Sequence, residues 1–192
     1  LSFIAGFFLF SSAIFLKTNT ILLALILFIL CLTYVIPFNR SNINIRNYSK
    51  IKIFVVALCW SGVTVLMPFY EYGIIYSWET VWLFVQRFIF VLVYTLPFEI
   101  RDLHYDSINL KTIPQVIGIN KTKVLAYILL ILFCFISFFI QTSKIQFIFS
   151  DIIIAISTAI FIFKTKEKQS RYFTSFFVEG IPIFWLLVIV VI

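Results

Sequence analysis

Long apolar runs alternate with short polar links along the whole chain. Seven runs stand out, over residues 1–16, 20–38, 51–69, 78–98, 124–140, 145–163 and 173–192. A helix crossing about 30 Å of hydrocarbon needs roughly 17–25 apolar residues, and every run but the first reaches that length. None alternates with period two, as the strands of a membrane barrel do. Backbone inside lipid must satisfy its own N–H and C=O groups, so each run is expected to be helical. The expected fold is therefore all-α, a polytopic membrane helix bundle forming a single transmembrane domain over residues 1–192. The run opening at Leu1 lacks the basic flank and small-residue end of a signal peptide. It reads as a helix already under way, with residues expected upstream.

Charge orders these runs. Arg40, Arg46, Lys50 and Lys52 follow the second run or open the third; Arg101, Lys111, Lys121 and Lys123 follow the fourth; Lys164, Lys166, Lys168 and Arg171 follow the sixth. The alternate links hold only Lys17 and Lys144, beside the acids Glu71, Glu79 and Asp151. The positive-inside rule then places the basic links in the cytoplasm. Trp60, Trp78 and Trp82 are read as partial markers of the interfaces.

Composition agrees. The chain has 192 residues, 62% hydrophobic and 20% aromatic, with a mean hydropathy of +1.10. A soluble domain averages about 45–50% apolar residues, so lipid is the expected solvent. The net charge of +7 is carried by the links and suggests no nucleic-acid partner. Cys31, Cys59 and Cys134 lie inside apolar runs and are read as small hydrophobes. No Gly/Ser linker, nucleotide-binding loop or hydrolase motif interrupts the pattern.

The one concentration of acid is PFEIRDLHYDSINLKTIPQ, residues 97–115. Glu99, Asp102 and Asp106 are spaced i, i+3, i+7 and would share a face if the fourth helix continued past Phe98. Such carboxylates repel one another unless a cation joins them, and Mg²⁺ takes one or two carboxylates together with phosphate oxygens. Arg101, Lys111, Lys121 and Lys123 are near enough in sequence to hold phosphate. A solvated loop of mixed charge is the bland alternative, and spacing alone favours it.

The string EIRDLHYDSINLKTIPQVIG strongly resembles the second aspartate-rich motif of the UbiA-type intramembrane prenyltransferases. The matching residues are Arg101, Asp102, Asp106, Lys111, Thr112, Pro114 and Gly118. Tyr34 followed by Arg40 is similar to a weaker family feature. The resemblance implies nine helices with acidic motifs on the cytoplasmic links after the second and sixth, so seven of nine would be present here. It also implies a Mg²⁺-dependent transfer of an isoprenoid chain from a prenyl diphosphate to an aromatic or other lipophilic acceptor. Asp102 and Asp106 would be catalytic and, with Glu99, would hold the metal. Arg101, Lys111 and Arg40 would hold diphosphate, and Arg87, Tyr34 and Tyr105 would line the cavity. Three departures stand beside it. Glu99 replaces an Asp; the turn before Pro114 is one residue short and lacks its Gly; and the first motif, N-x-x-x-D-x-x-x-D, does not occur among these residues. The alternative is a non-catalytic member acting as a membrane scaffold or lipid-binding subunit, and a small transporter is a weaker third reading. A bacterial cytoplasmic membrane is the expected location.

Arg87 stands near the middle of the fourth run, where a charge should face protein or water. It is expected either to line the lower cavity or to pair with Glu179. His104, the only histidine, is expected to be an exposed residue without a metal. Pro97 is expected to free a carbonyl and kink the helix just before the acids.

Overall fold

The computed structural model describes residues 11, 14–35, 49–74, 77–106, 110–140, 145–170 and 172–191, without the side chains of 34, 35 and 49–51. All secondary structure among them is helical. The elements are α1 (Thr18–Val35), α2 (Ser49–Ser61), a π-helical turn (Gly62–Leu66), α3 (Met67–Tyr72), α4 (Trp78–Asp102), α5 (Ile113–Ile117), α6 (Ile119–Ser137), α7 (Ile145–Lys164), a second π-helical turn (Phe173–Val178) and α8 (Ile181–Val191).

Five helical segments are long and apolar enough to cross a membrane: Lys52–Tyr72, Trp78–Asp102, Ile119–Ser137, Ile145–Lys164 and Phe173–Val191. They correspond to five of the seven expected spans. The second expected span is the shorter apolar helix Thr18–Thr33. The first falls almost wholly outside the described residues. The helix expected from residue 124 begins earlier, at Ile119, because Gly118 (φ 83°) breaks the chain there. Thr122 Oγ1 then donates to the Gly118 carbonyl at 2.9 Å.

Local chemistry explains the ends. Ser77 caps α4 by accepting from the Thr80 N–H at 3.1 Å, and Glu79 in the first turn complements the helix dipole. Gly73, in the left-handed region at φ 80°, ends α3. Glu71 accepts from the Lys17 N–H at 3.0 Å and from Thr20 Oγ1 at 2.7 Å, which ties the start of α1 to the end of α3. Helix α4 runs unbroken through Pro97.

Helix α4 is the hub: α2 and α6 pack directly on it, α7 packs on α6, and α8 packs on α7. Val93, Phe133, Ala57, Ala126 and Ile154 are fully buried at these contacts. The rings of Phe90, Phe133 and Trp185 meet pairwise, with centroids 4.8–5.6 Å apart. Offset and edge contacts of this kind add about 0.5–1.5 kcal/mol per pair beyond burial. The opposite faces are apolar and exposed, as at Leu22, Leu25, Phe28, Ile131, Phe163 and Val190. An exposed apolar belt this extensive is stable only against lipid.

Candidate functional site

The end of α4 carries the acidic stretch. The helix stops at Asp102, and the chain makes one more turn, with the Asp106 N–H donating to the Asp102 carbonyl at 2.9 Å. That bond sets Asp102 and Asp106 one turn apart on the same side. Both line a cavity of about 710 Å³ with Arg101, His104, Tyr105, Glu167, Lys168, Gln169 and Ser175. Tyr105 is exposed at its rim.

Arg101 dominates the cavity wall. Its Nε donates to Asp102 Oδ1 at 2.7 Å and its Nη2 to Oδ2 at 3.1 Å, a bidentate fork. Its Nη1 donates to Thr174 Oγ1 at 2.7 Å, so the fork also holds the second π-helical turn against α4. The Phe98 ring lies beneath, 5.4 Å from the guanidinium carbon.

Glu99 corrects the single-face expectation. It points inward, 4% exposed, and neither carboxylate oxygen has a hydrogen-bond partner among the described residues. Lys52 and the Ile113 backbone N–H are the positive groups facing it. Residues three apart on a helix lie about 60° apart around its axis, and Glu99 turns toward Lys52 and Ile113 while Asp102 and Asp106 line the cavity. Accordingly, no three metal-ligating side chains converge among the described residues. The carboxylates on the wall are Asp102, Asp106 and Glu167; Arg101 holds both oxygens of Asp102, and His104 faces Glu167. Glu99 lies behind them, turned toward Lys52 and the Ile113 N–H.

The basic residues sort differently from their sequence proximity. Lys111 is exposed, does not line the cavity and adopts φ 52°. It occupies a left-handed position of the kind usually given to Gly, and the next residue, Thr112, caps α5 through a capping box with Gln115. Lys123 is committed elsewhere, donating to the Phe163 carbonyl at the end of α7 at 2.9 Å. Arg40 lies outside the described residues, as does the Tyr34 side chain. Lys168, Gln169 and Ser175 enter the cavity instead. The sequence signal for them was the basic link after the sixth run, read there only for orientation. His104 is half-exposed and pairs with Glu167 at 3.2 Å, which joins the acidic turn to that link.

A second space, about 750 Å³, opens between α7 and the last span. Its lining is mostly apolar, including Ile160, Phe161, Phe176, Ile183 and Leu187, with Glu179 at its edge. Ser175 lines both spaces. A polar cavity and an apolar crevice thus adjoin at one small residue.

Arg87 belongs to neither. It faces Asp151, not Glu179, and its guanidinium carbon lies 4.0 Å from the centroid of the Trp185 ring. Such a stack contributes about 0.5–2 kcal/mol. Asp151, expected in a link, is buried within α7. Its Oδ2 accepts from Gln86 Nε2 at 2.8 Å and from Ser137 Oγ at 2.7 Å, while Gln86 also donates to Ser137 at 2.7 Å. This cluster joins α4, α6 and α7 at the end of the bundle away from the acidic stretch.

No family model, curated protein or solved structure matches the chain.

Proposed function

We propose that this integral membrane protein is a Mg²⁺-dependent prenyltransferase of UbiA type, taking an isoprenoid diphosphate at the acidic end of the bundle. The observation that carries this reading is the junction at Ser175 between a polar cavity and an apolar crevice. A molecule with a charged head and a long apolar tail needs that pair of environments side by side. The motif resemblance over residues 99–118 supplies the reaction class.

In this reading the diphosphate sits in the 710 Å³ cavity, with Arg101 and Lys168 facing its oxygens. Asp102 and Asp106 would hold Mg²⁺, which when bound supplies charge stabilisation for the leaving diphosphate. The tail lies along Phe161, Phe176 and Ile183. The allylic C–O bond breaks, and the diphosphate oxygen keeps the electron pair. The allylic carbon then bonds to a nucleophilic carbon of the acceptor, which releases a proton to solvent. The Tyr105 ring at the rim offers a π face to the developing cation. The basic links, and this mouth with them, face the cytoplasm of a bacterial inner membrane.

Asp102→Asn is expected to abolish Mg²⁺-dependent binding of farnesyl diphosphate in titration calorimetry; unchanged binding overturns the proposal. One observation favours a second reading, a non-catalytic lipid-binding subunit: both Asp102 oxygens are already held by Arg101. Under that reading Asp102→Asn leaves binding of a prenyl diphosphate intact without Mg²⁺, and no transfer occurs to any aromatic acceptor.

A further inference from the structure

The crevice of about 750 Å³ between α7 and the last span has one charged group in its lining among the described residues, Glu179. Glu179 lies within the span Phe173–Val191 and is exposed. Lipid solvates a carboxylate poorly, so an ionisable group inside a span calls for a partner. The ion pairs within 4.0 Å among the described residues are Arg101–Asp102 and His104–Glu167. The Glu179 charge acts on Arg101 and Tyr94, but the Arg101 donors go to both Asp102 oxygens and to Thr174. The second π-helical turn delivers Glu179 to this place. Its N–H donates to the Thr174 carbonyl, five residues back, at 3.1 Å, and the Gly180 N–H to the Phe176 carbonyl at 3.0 Å. A Cβ on residue 180 would lie 2.8 Å from the Phe176 oxygen, so this closure depends on Gly180. Wide turns of this kind inside helices recur at functional sites.

Open aromatic rings share the lining with this carboxylate. Phe176 and Phe177 are 69% and 52% exposed, and the Phe177 ring lies 5.3 Å from that of Phe176 and 6.2 Å from that of Phe161, centroid to centroid. All three line the crevice. Phenyl faces attract a cation through the ring quadrupole, and a carboxylate beside them supplies its counter-charge. Glu179 would repel an anion, and a wholly apolar chain would leave it without that counter-charge. The volume suits one small molecule, within the usual range of about 300–1,000 Å³. We propose that the crevice binds a single-chain lipophilic amine in its ammonium form, with the cation on Glu179 among Phe161, Phe176 and Phe177, and the chain along Ile183 and Leu187. Recognition of an amine here does not depend on the prenyltransferase reading, although both ligands would use the same walls.

The test is titration calorimetry of the full chain in phosphatidylcholine nanodiscs, with empty discs subtracted, using 4-phenylbutylamine and its neutral counterpart 4-phenylbutanol. Saturable binding of the amine is expected, at least tenfold tighter than that of the alcohol. Glu179→Gln keeps the shape and removes the charge; it is expected to weaken amine binding at least tenfold and leave the alcohol unchanged. Phe177→Leu should weaken the amine about threefold. Ser157→Phe fills the crevice from α7 without altering the last span, so it remains informative if the Glu179 variant unfolds; it should weaken both probes. Equal affinity for amine and alcohol, a preference that survives Glu179→Gln, or amine binding that Ser157→Phe leaves unchanged overturns the proposal. Loss of amine binding when phosphatidylethanolamine replaces phosphatidylcholine assigns Glu179 to a lipid headgroup and overturns a free amine as the occupant.

Discussion

Glu99 is a single residue whose burial comes at a cost to stability. Its carboxylate is buried, with only the Ile113 N–H and the Lys52 charge facing it, an arrangement that folding alone disfavours. Glu99→Gln is expected to stabilise the metal-free protein by about 1 kcal/mol, read as a raised thermal midpoint in detergent. A lowered midpoint would show that Glu99 is held by its neighbours and not strained by them. Lys111 offers a complementary case. A side chain in the left-handed region costs about 1–2 kcal/mol, so Lys111→Gly should raise stability by about 1 kcal/mol, read as a raised thermal midpoint.

At the scale of elements, the bundle is joined by a few polar and close-packed contacts. Gln86 links α4 to Ser137 of α6 and Asp151 of α7. Gln86→Leu leaves those two groups short of a donor, and a loss of about 1–3 kcal/mol is expected by thermal denaturation. Close helix contact is seen where Gly62 meets α1, since a Cβ there would lie 2.9 Å from two Leu27 methyl carbons. One turn earlier, α2 brings Cys59 Sγ within 3.6 Å of Cys31 Sγ on α1. Copper-phenanthroline oxidation should therefore join that pair, with loss of two hydrogens, and leave Cys134 open to maleimide. Modification of all three thiols after oxidation would place α1 differently.

The whole molecule is arranged as two ends with different chemistry. The acidic end has a polar cavity beside an apolar crevice, and the other end has an apolar cavity around Arg87. Because Ser175 lines both spaces at the acidic end, Ser175→Trp should separate them. The expected result is at least tenfold weaker binding of farnesyl diphosphate with inorganic diphosphate binding unchanged. Equal loss of both would mean that head and tail do not divide at this position.

The sequence by itself determined the helical class, the membrane solvent and five of the spans. Those properties depend on run length and on backbone satisfaction in lipid, which are local. It also singled out Asp102, Asp106 and Tyr105, because they are close together in the chain and so in space. Only the tertiary structure decided that Glu99 turns inward, that Lys123 serves the end of α7 and that Lys168 and Ser175 enter the cavity from the other side of the bundle. It decided Arg87's neighbours as well: helix α4 carries Arg87 toward Asp151 and Trp185, which stand 64 and 98 positions further along the chain. Such pairings depend on how helices rotate and pack against each other, and no hydrophobic pattern within one helix records that.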